Sequence, residues 1–260
     1  MKAIEIIKEI EQFAPLSTQE HYDNCGIQVG SSSIEVTGLL ITLDVTEAVI
    51  DEAISLGCNF ILSHHPLIFR GVKKITGDDY VQKCIIKAIK NDILIYSAHT
   101  NIDKSHKGVS AILAKNIGLT TGEILKTEGD GSYGLGYVGE LKEEEDATEF
   151  LSRIKEILGI GCIRYTDFRP GKKIKKVALC GGSGSEFLSD AIDREVDIYL
   201  TADIKYHQFF EVKNDLILAD IGHFESEQFI KDVFFDIVSK INPKFAIHFS
   251  DYKTNPIKYL

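Results

Sequence analysis

No C-x-x-C pair occurs in this 260-residue chain, and its five cysteines, Cys25, Cys58, Cys84, Cys162 and Cys180, are scattered and odd in number. That excludes a disulfide framework and a cysteine-based zinc site, and fits reduced thiols in a cytoplasmic protein. No apolar run approaches the roughly 20 residues of a membrane-spanning helix. The opening residues carry charge at Lys2, Glu5, Lys8 and Glu9, which fits neither a signal peptide nor a transit peptide. A basic block is missing too: 29 lysines and arginines stand against 39 aspartates and glutamates, a formal charge of −10. Such a balance is a poor match for a nucleic-acid backbone. Low-complexity tracts and short-period repeats are also absent. What remains, with 44% hydrophobic and 26% charged residues, is the composition of a globular protein, large enough for one big domain or two small ones.

The hydrophobic pattern alternates between helix and strand periods. Ile4, Ile7, Ile10 and Phe13 recur at helical spacing, and Pro15 ends that helix. A polar loop through Asn24, Gly26 and Gly30 to Ser33 follows. The runs at 38–44 and 59–63 are short and apolar, as in strands buried on both faces. Between them Thr46 is placed to cap a helix that stops at Gly57. Further strands are expected at 92–98, 133–141, 161–166, 174–180, 197–201, 215–221 and 244–250. Helices are expected near 78–90, 108–117, 185–194, 203–213 and 225–240, with another whose stripe is Phe150, Leu151, Ile154 and Leu158. This alternation predicts an α/β protein with largely parallel or mixed sheets. The polar, glycine-containing stretch at 120–132 is the expected seam between two α/β domains. One domain would comprise 1–126 with 220–260, the other 127–219.

Open α/β sheets hold ligands beyond the carboxyl ends of their strands. Six of the eight histidines, His64, His65, His99, His106, His207 and His223, fall just after predicted strands or on helices that start there. Imidazole together with carboxylate suits zinc, manganese, iron or nickel. The adjacent His64 and His65 point to opposite sides of an extended segment, so each can hold a different ion. His223 and Glu227 are four apart at a helix start and share a face. Asp103 supplies a second carboxylate. Three histidines and two carboxylates leave two divalent ions incompletely coordinated, as in catalytic sites with open positions for water.

The tracts YDNCGIQVG (22–30), SHHPLIF (63–69), SAHTNID (97–103), TADIKYHQ (201–208) and GHFESE (222–227) resemble the NIF-three-like family, many of whose members are called GTP cyclohydrolase 1 type 2 homologs. The similarity runs over nearly the whole chain, which corresponds to the short form without an inserted domain. It implies a dinuclear metal site in the cleft between two α/β domains and a hexameric ring built from dimers. The ligands would be His64, His65, Asp103, His223 and Glu227, with Glu227 as the bridge.

Other residues have both a functional and a plain reading. His99 can serve a ligand or simply end a strand. Asp203 and His207, four apart on one predicted helix, can form an acid/base pair facing the metals, or a cap and an exposed histidine. GGSGS at 181–185 is a phosphate-contacting turn or merely a tight one, and contains no Walker A sequence. His106 reads as a solvated loop residue, His21, preceding the YDN tract, as a residue that could line the mouth of the site, and His248 as a core or interface residue. The acidic run 143–146 suits a helix N-terminus, and the basic tract 171–176 solvates a strand start.

Two functions follow. One is a metal-dependent hydrolase acting on a nucleotide-like or phosphorylated small molecule, with His207, His99 and Asp203 as proton-handling residues. The other is a metal-binding ring scaffold or regulatory protein without catalysis.

Overall fold

A computed structural model describes residues 1–213, 215–242 and 245–260. The chain opens with helix α1 (Ala3–Phe13) and continues through strand β1 (Gly26–Val29), β2 (Leu39–Thr42), α2 (Glu47–Ser55), β3 (Phe60–Ser63), α3 (Tyr80–Lys90) and β4 (Leu94–Ser97) to the single turn α4 (Thr100–Asp103). There follow α5 (Val109–Asn116), β5 (Leu119–Glu128), β6 (Tyr133–Asp146), α6 (Ala147–Leu158), β7 (Arg164–Tyr165) and β8 (Lys173–Ser183). Then come α7 (Leu188–Asp193), β9 (Ile198–Ala202), β10 (Ile217–Asp220), α8 (His223–Glu227), α9 (Ile230–Ser239) and β11 (Ile247–Phe249). Among the described residues, no helix is long and apolar enough to cross a membrane.

The chain divides into two compact units, Met1–Ile102 with Ile230–Pro256, and Asp103–Phe229 with Ile257–Leu260. Both are α/β with mixed sheets. The first sheet has the order β1-β4-β3-β2-β11, parallel throughout except that β1 runs antiparallel to β4. On one face Leu40, Ile61 and Ile95 pack with Val49, Ile50 and Ala53 of α2 and with Cys84, Ile85 and Ala88 of α3. The alternate residues Leu39, Ile41, Phe60, Leu62 and Leu94 are wholly buried on the other, where α9 lies against β2. Helix α1 is amphipathic as expected, although its buried stripe is Ala3, Ile6, Ile7 and Ile10. Thr46 caps α2 by accepting a hydrogen bond from the Val49 N–H at 3.3 Å.

The second sheet has the order β5-β6-β8-β9-β10-β7, with β8, β9 and β10 parallel and the other pairings antiparallel. Period-two alternation feeds two cores. Val177, Leu179, Ile198, Leu200 and Ile217 join Phe150, Ile154 and Leu158 of α6. Ala178, Cys180, Tyr199 and Leu218 join Leu188 and Ala191 of α7. The acidic run finds its use here: Asp146 accepts from the Thr148 N–H at 2.9 Å as the cap of α6, and Glu145 pairs with Arg153.

Several expectations differ from the structure. The stretch 120–132 is no linker, because most of it is the edge strand β5, held by pairing to β6; the units divide at 102/103 and 229/230 instead of 126 and 220. Residues 26–29 are a strand where a polar loop was expected, and β6 continues to Asp146. No long helix occupies 203–213. Asp203 has a left-handed φ of 55°, and only a 3-10 turn, Tyr206–Phe210, follows it. The helix expected at 225–240 is interrupted after Glu227, giving α8 and α9. Of the strand at 244–250, Lys244 lies outside the described residues and Ile247–Phe249 is strand.

Phe150 is fully buried in the α6 core. Phe150→Ala should therefore cost about 3–5 kcal/mol of unfolding free energy, read as a lowered denaturant midpoint with little change in slope.

Candidate metal centre

In the first unit the parallel register delivers the site. Thr42 pairs with Ser63, and Ser63 with Ser97, at the ends of β2, β3 and β4. Two residues beyond each lie Asp44, His65 and His99, so one carboxylate and two imidazoles emerge at the same level from adjacent strands. The hydroxyls beneath hold the turns: Thr42 donates to the Asp44 carbonyl at 2.9 Å and Ser63 to that of His65 at 3.0 Å.

Each histidine there is oriented through Nδ1. His64, fully buried, has Nδ1 2.9 Å from the Ala98 carbonyl. His65 has Nδ1 2.7 Å from Asp44 Oδ1, and His99 has Nδ1 2.9 Å from Asp23 Oδ1. A carbonyl or an ionised carboxylate can only accept, so Nδ1 carries a proton, and Nε2 is the ring nitrogen with lone-pair capacity for a ligand. One ligand nitrogen from each of His64, His65 and His99 lies within 4.8 Å of the other two. Burial disfavours the Asp23 charge, yet hydrogen bonds from His99, Thr100 and Cys25 hold its carboxyl well below the usual range.

The second unit supplies His223 and Glu227 from α8. His223 Nδ1 is 2.7 Å from Asp203 Oδ2, and its Nε2 is 3.1 Å from Glu227 Oε2. The hydrogen bond from His223 lowers the Asp203 carboxyl. Burial works against a charged His223, but Glu227 and Asp203 outweigh it and raise the imidazole to about 11. Asp103, half-buried, ends α4. The Cys180 thiol is pushed up first by burial, and then by the charges of Asp103, Glu186 and Glu227.

Glu227 fits because of a glycine. Gly182, at φ +63°, lies so close that a Cβ would collide with Glu227 Oε1. Its N–H donates to Ser226 Oγ at 2.9 Å, and the Gly181 N–H donates to Ser110 Oγ at 3.3 Å. The GGSGS tract thus makes room for a buried carboxylate.

The acid/base candidates fare differently. His99 stands in the three-histidine cluster. Asp203 does not share a helix with His207; it orients His223 instead. His207 is exposed beside Tyr206 and Phe210, with ring centroids 5.2 and 6.5 Å away. His106 and His21 are exposed, and His248 is half-buried in β11. Asp44 and Asp23 were not singled out from the sequence. The signal for Asp44 was its place at a strand end, the same rule that found the histidines.

In the first unit His64, His65 and His99, and in the second His223 with the buried Glu227, are donor types suited to divalent first-row ions. Asp44→Ala should weaken metal binding about 10–100-fold by freeing the His65 ring, measured by competition with a chromogenic chelator. In the metal-free protein the raised His223 pKa contributes stability that is complete below its unfolded value near 6.5 and lost as pH rises through about 11. A cation must displace that proton. Metal affinity should therefore rise about tenfold per pH unit across neutrality, with one proton released from this site, detectable by calorimetry in buffers of different ionisation enthalpy.

The family model for Duf34/NIF3 (NGG1p interacting factor 3) matches residues 1–256. A Clostridium perfringens protein named GTP cyclohydrolase 1 type 2 homolog is 41% identical over 229 residues, covering 87% of each chain. A Lactococcus lactis protein of the same name is 33% identical over 98% of both. Among solved structures, a Staphylococcus aureus hypothetical protein superposes with a TM-score of 0.93 at 29% identity, covering 100% of this chain and 99% of its own. A Bacillus cereus protein related to NIF3 gives 0.91 at 26% identity, with the same coverage. The motifs, the fold and these matches agree, and the chain belongs to the Duf34/NIF3 family.

Proposed function

We propose that this protein is a metal-dependent hydrolase of a nucleotide-like or phosphorylated small molecule, with His64, His65, Asp103, His223 and Glu227 as ligands for two divalent ions. The observation that carries this reading is the common orientation: every one of the four site histidines has Nδ1 beside an oxygen acceptor, so Nε2 is the nitrogen that would meet a cation, at His223 once the proton shared with Glu227 has left. The names of the clostridial and lactococcal relatives support the substrate class.

Bound divalent ions would supply Lewis acidity and lower the pKa of water toward neutrality. The chain's own groups do the rest. Asp44 and Asp203 fix the rings of His65 and His223, and the Ala98 carbonyl fixes His64. Asp23 holds the proton on His99 Nδ1, so His99 Nε2 can accept a proton during attack and return it to the leaving group. Asp203 is a positioning residue. His207, on its exposed turn, is free to meet a substrate from solution. A homohexameric ring in the cytoplasm completes the reading and rests on family membership alone.

The decisive experiment is to strip metal with a chelator, screen nucleotides including GTP and a panel of phosphoesters, and then restore zinc, manganese, iron or nickel singly. Turnover is expected only in restored protein, and Glu227→Ala should lower bound metal while reducing kcat at least about 100-fold. Metal bound at unchanged stoichiometry with no turnover on any compound would favour the scaffold.

A further inference from the structure

We propose that the open cavity lined by residues from 66–74 and 79–82 of the first unit binds a phosphorylated compound carrying a planar ring, the chemical class of the nucleotides. The inference deepens the hydrolase reading and rests on it, since it names the place where the substrate's phosphate and ring would dock.

The cavity holds about 520 Å³, within the range of small-molecule sites. Two exposed rings line it, Phe69 at 45% and Tyr80 at 62% accessibility, offering apolar faces to a planar group. Three cations line it as well, Arg70, Lys73 and Lys74. Among the described residues none of the three takes part in an ion pair. They stand together on one wall in a chain of net charge −10. The lysines of the basic tract are committed elsewhere: Lys172 pairs with Asp197 at 2.9 Å, Lys175 donates to the Leu141 carbonyl at 2.7 Å, and Lys176 donates to that of Arg194 at 2.6 Å.

The one acid on the wall, Asp79, is occupied as the cap of α3. Its Oδ1 accepts from the Gln82 N–H at 2.8 Å, and its Oδ2 accepts from Gln82 Nε2 at 2.9 Å. The wall therefore carries net positive charge toward solvent and would concentrate anions.

Its position links it to the metal ligands. The segment begins directly after His65, and the Phe69 ring stands edge-on to His99, 6.0 Å between centroids. The loop is held in place by the YDNCGIQVG tract. Asn24 Nδ2 donates to the Ile68 carbonyl at 2.7 Å, and the Ile68 N–H donates to Gln28 Oε1 at 3.1 Å. A ligand seated on Phe69 would thus be one ring away from the three-histidine cluster.

The test is calorimetric titration of chelator-treated protein with guanosine 5′-monophosphate, with guanosine and inorganic phosphate as separate arms. Working without metal keeps phosphate–metal contacts out of the reading. The nucleotide should bind more tightly than either fragment, and more weakly as salt rises. Lys73→Glu with Lys74→Glu should cut nucleotide affinity about tenfold or more at unchanged thermal midpoint, both side chains being exposed. Tyr80→Ala should weaken the nucleotide and spare phosphate. No nucleotide binding, or an affinity that the double charge reversal leaves intact, overturns the proposal. Lysine-dependent binding without metal-dependent turnover would sink only the hydrolase reading. Normal turnover with lysine-independent binding would sink only this site.

Discussion

The first unit depends on parallel pairing of β2, β3 and β4 in a register that ends level. Thr42, Ser63 and Ser97 stand side by side, so the chain two residues later places Asp44, His65 and His99 in a row. Parallel strands share a carboxyl edge, and whatever follows each strand is gathered there without any local sequence motif. The hydroxyl row below donates to carbonyls that the turns would otherwise leave unmet, and the Ser63 and Ser97 hydroxyls are themselves linked, Oγ to Oγ, at 2.7 Å. A one-residue slip of β3 would remove His65 from Asp44 and send its side chain to the other face. Register here decides which side chains meet at the carboxyl edge as well as how the strands pack.

The same geometry decides which features of the site are legible in the sequence. The histidines were legible because they follow apolar runs that announce strands, and the α6 stripe because Phe150, Leu151, Ile154 and Leu158 repeat at helical spacing. The carboxylates behind the rings were not. A single aspartate at a strand end is common, and only the pairing of β2 with β3 reveals that Asp44 belongs to His65. Strand β5 was invisible for a related reason. As an edge strand it is mostly exposed on both faces, so neither alternation nor an apolar run marks it; its order comes from the ladder to β6. At 203–213 the apolar and polar spacing suggested a helix, but Asp203 adopts a left-handed conformation and turns its carboxylate to His223. Local propensity lost there to a tertiary hydrogen bond.

The YDNCGIQVG tract shows how one segment can serve two ends. Asp23 fixes His99, while Asn24 and Gln28 grip the backbone of Ile68. The tract's work is to hold the ring of one residue and the loop of another in a fixed relation. Cys25 fits the same pattern: burial pushes its thiol up to about 12, and it donates to Asp23 instead of acting as a nucleophile.

Glu227 gives the strongest electrostatic argument for a cation. Its side chain is only 4% accessible, and burying a carboxylate costs several kcal/mol unless charge and hydrogen bonds compensate. The fold nevertheless prepares the place, sparing a Cβ at Gly182 so that the carboxylate can enter. In the metal-free chain a proton on His223 offsets this burial, which is why that imidazole is held charged far above its ordinary range. One proton shared by His223, Asp203 and Glu227 leaves the group anionic. A divalent ion at the same nitrogen and oxygen would neutralise more of that charge than the proton it replaces, and Asp203 would keep the ring aimed at it.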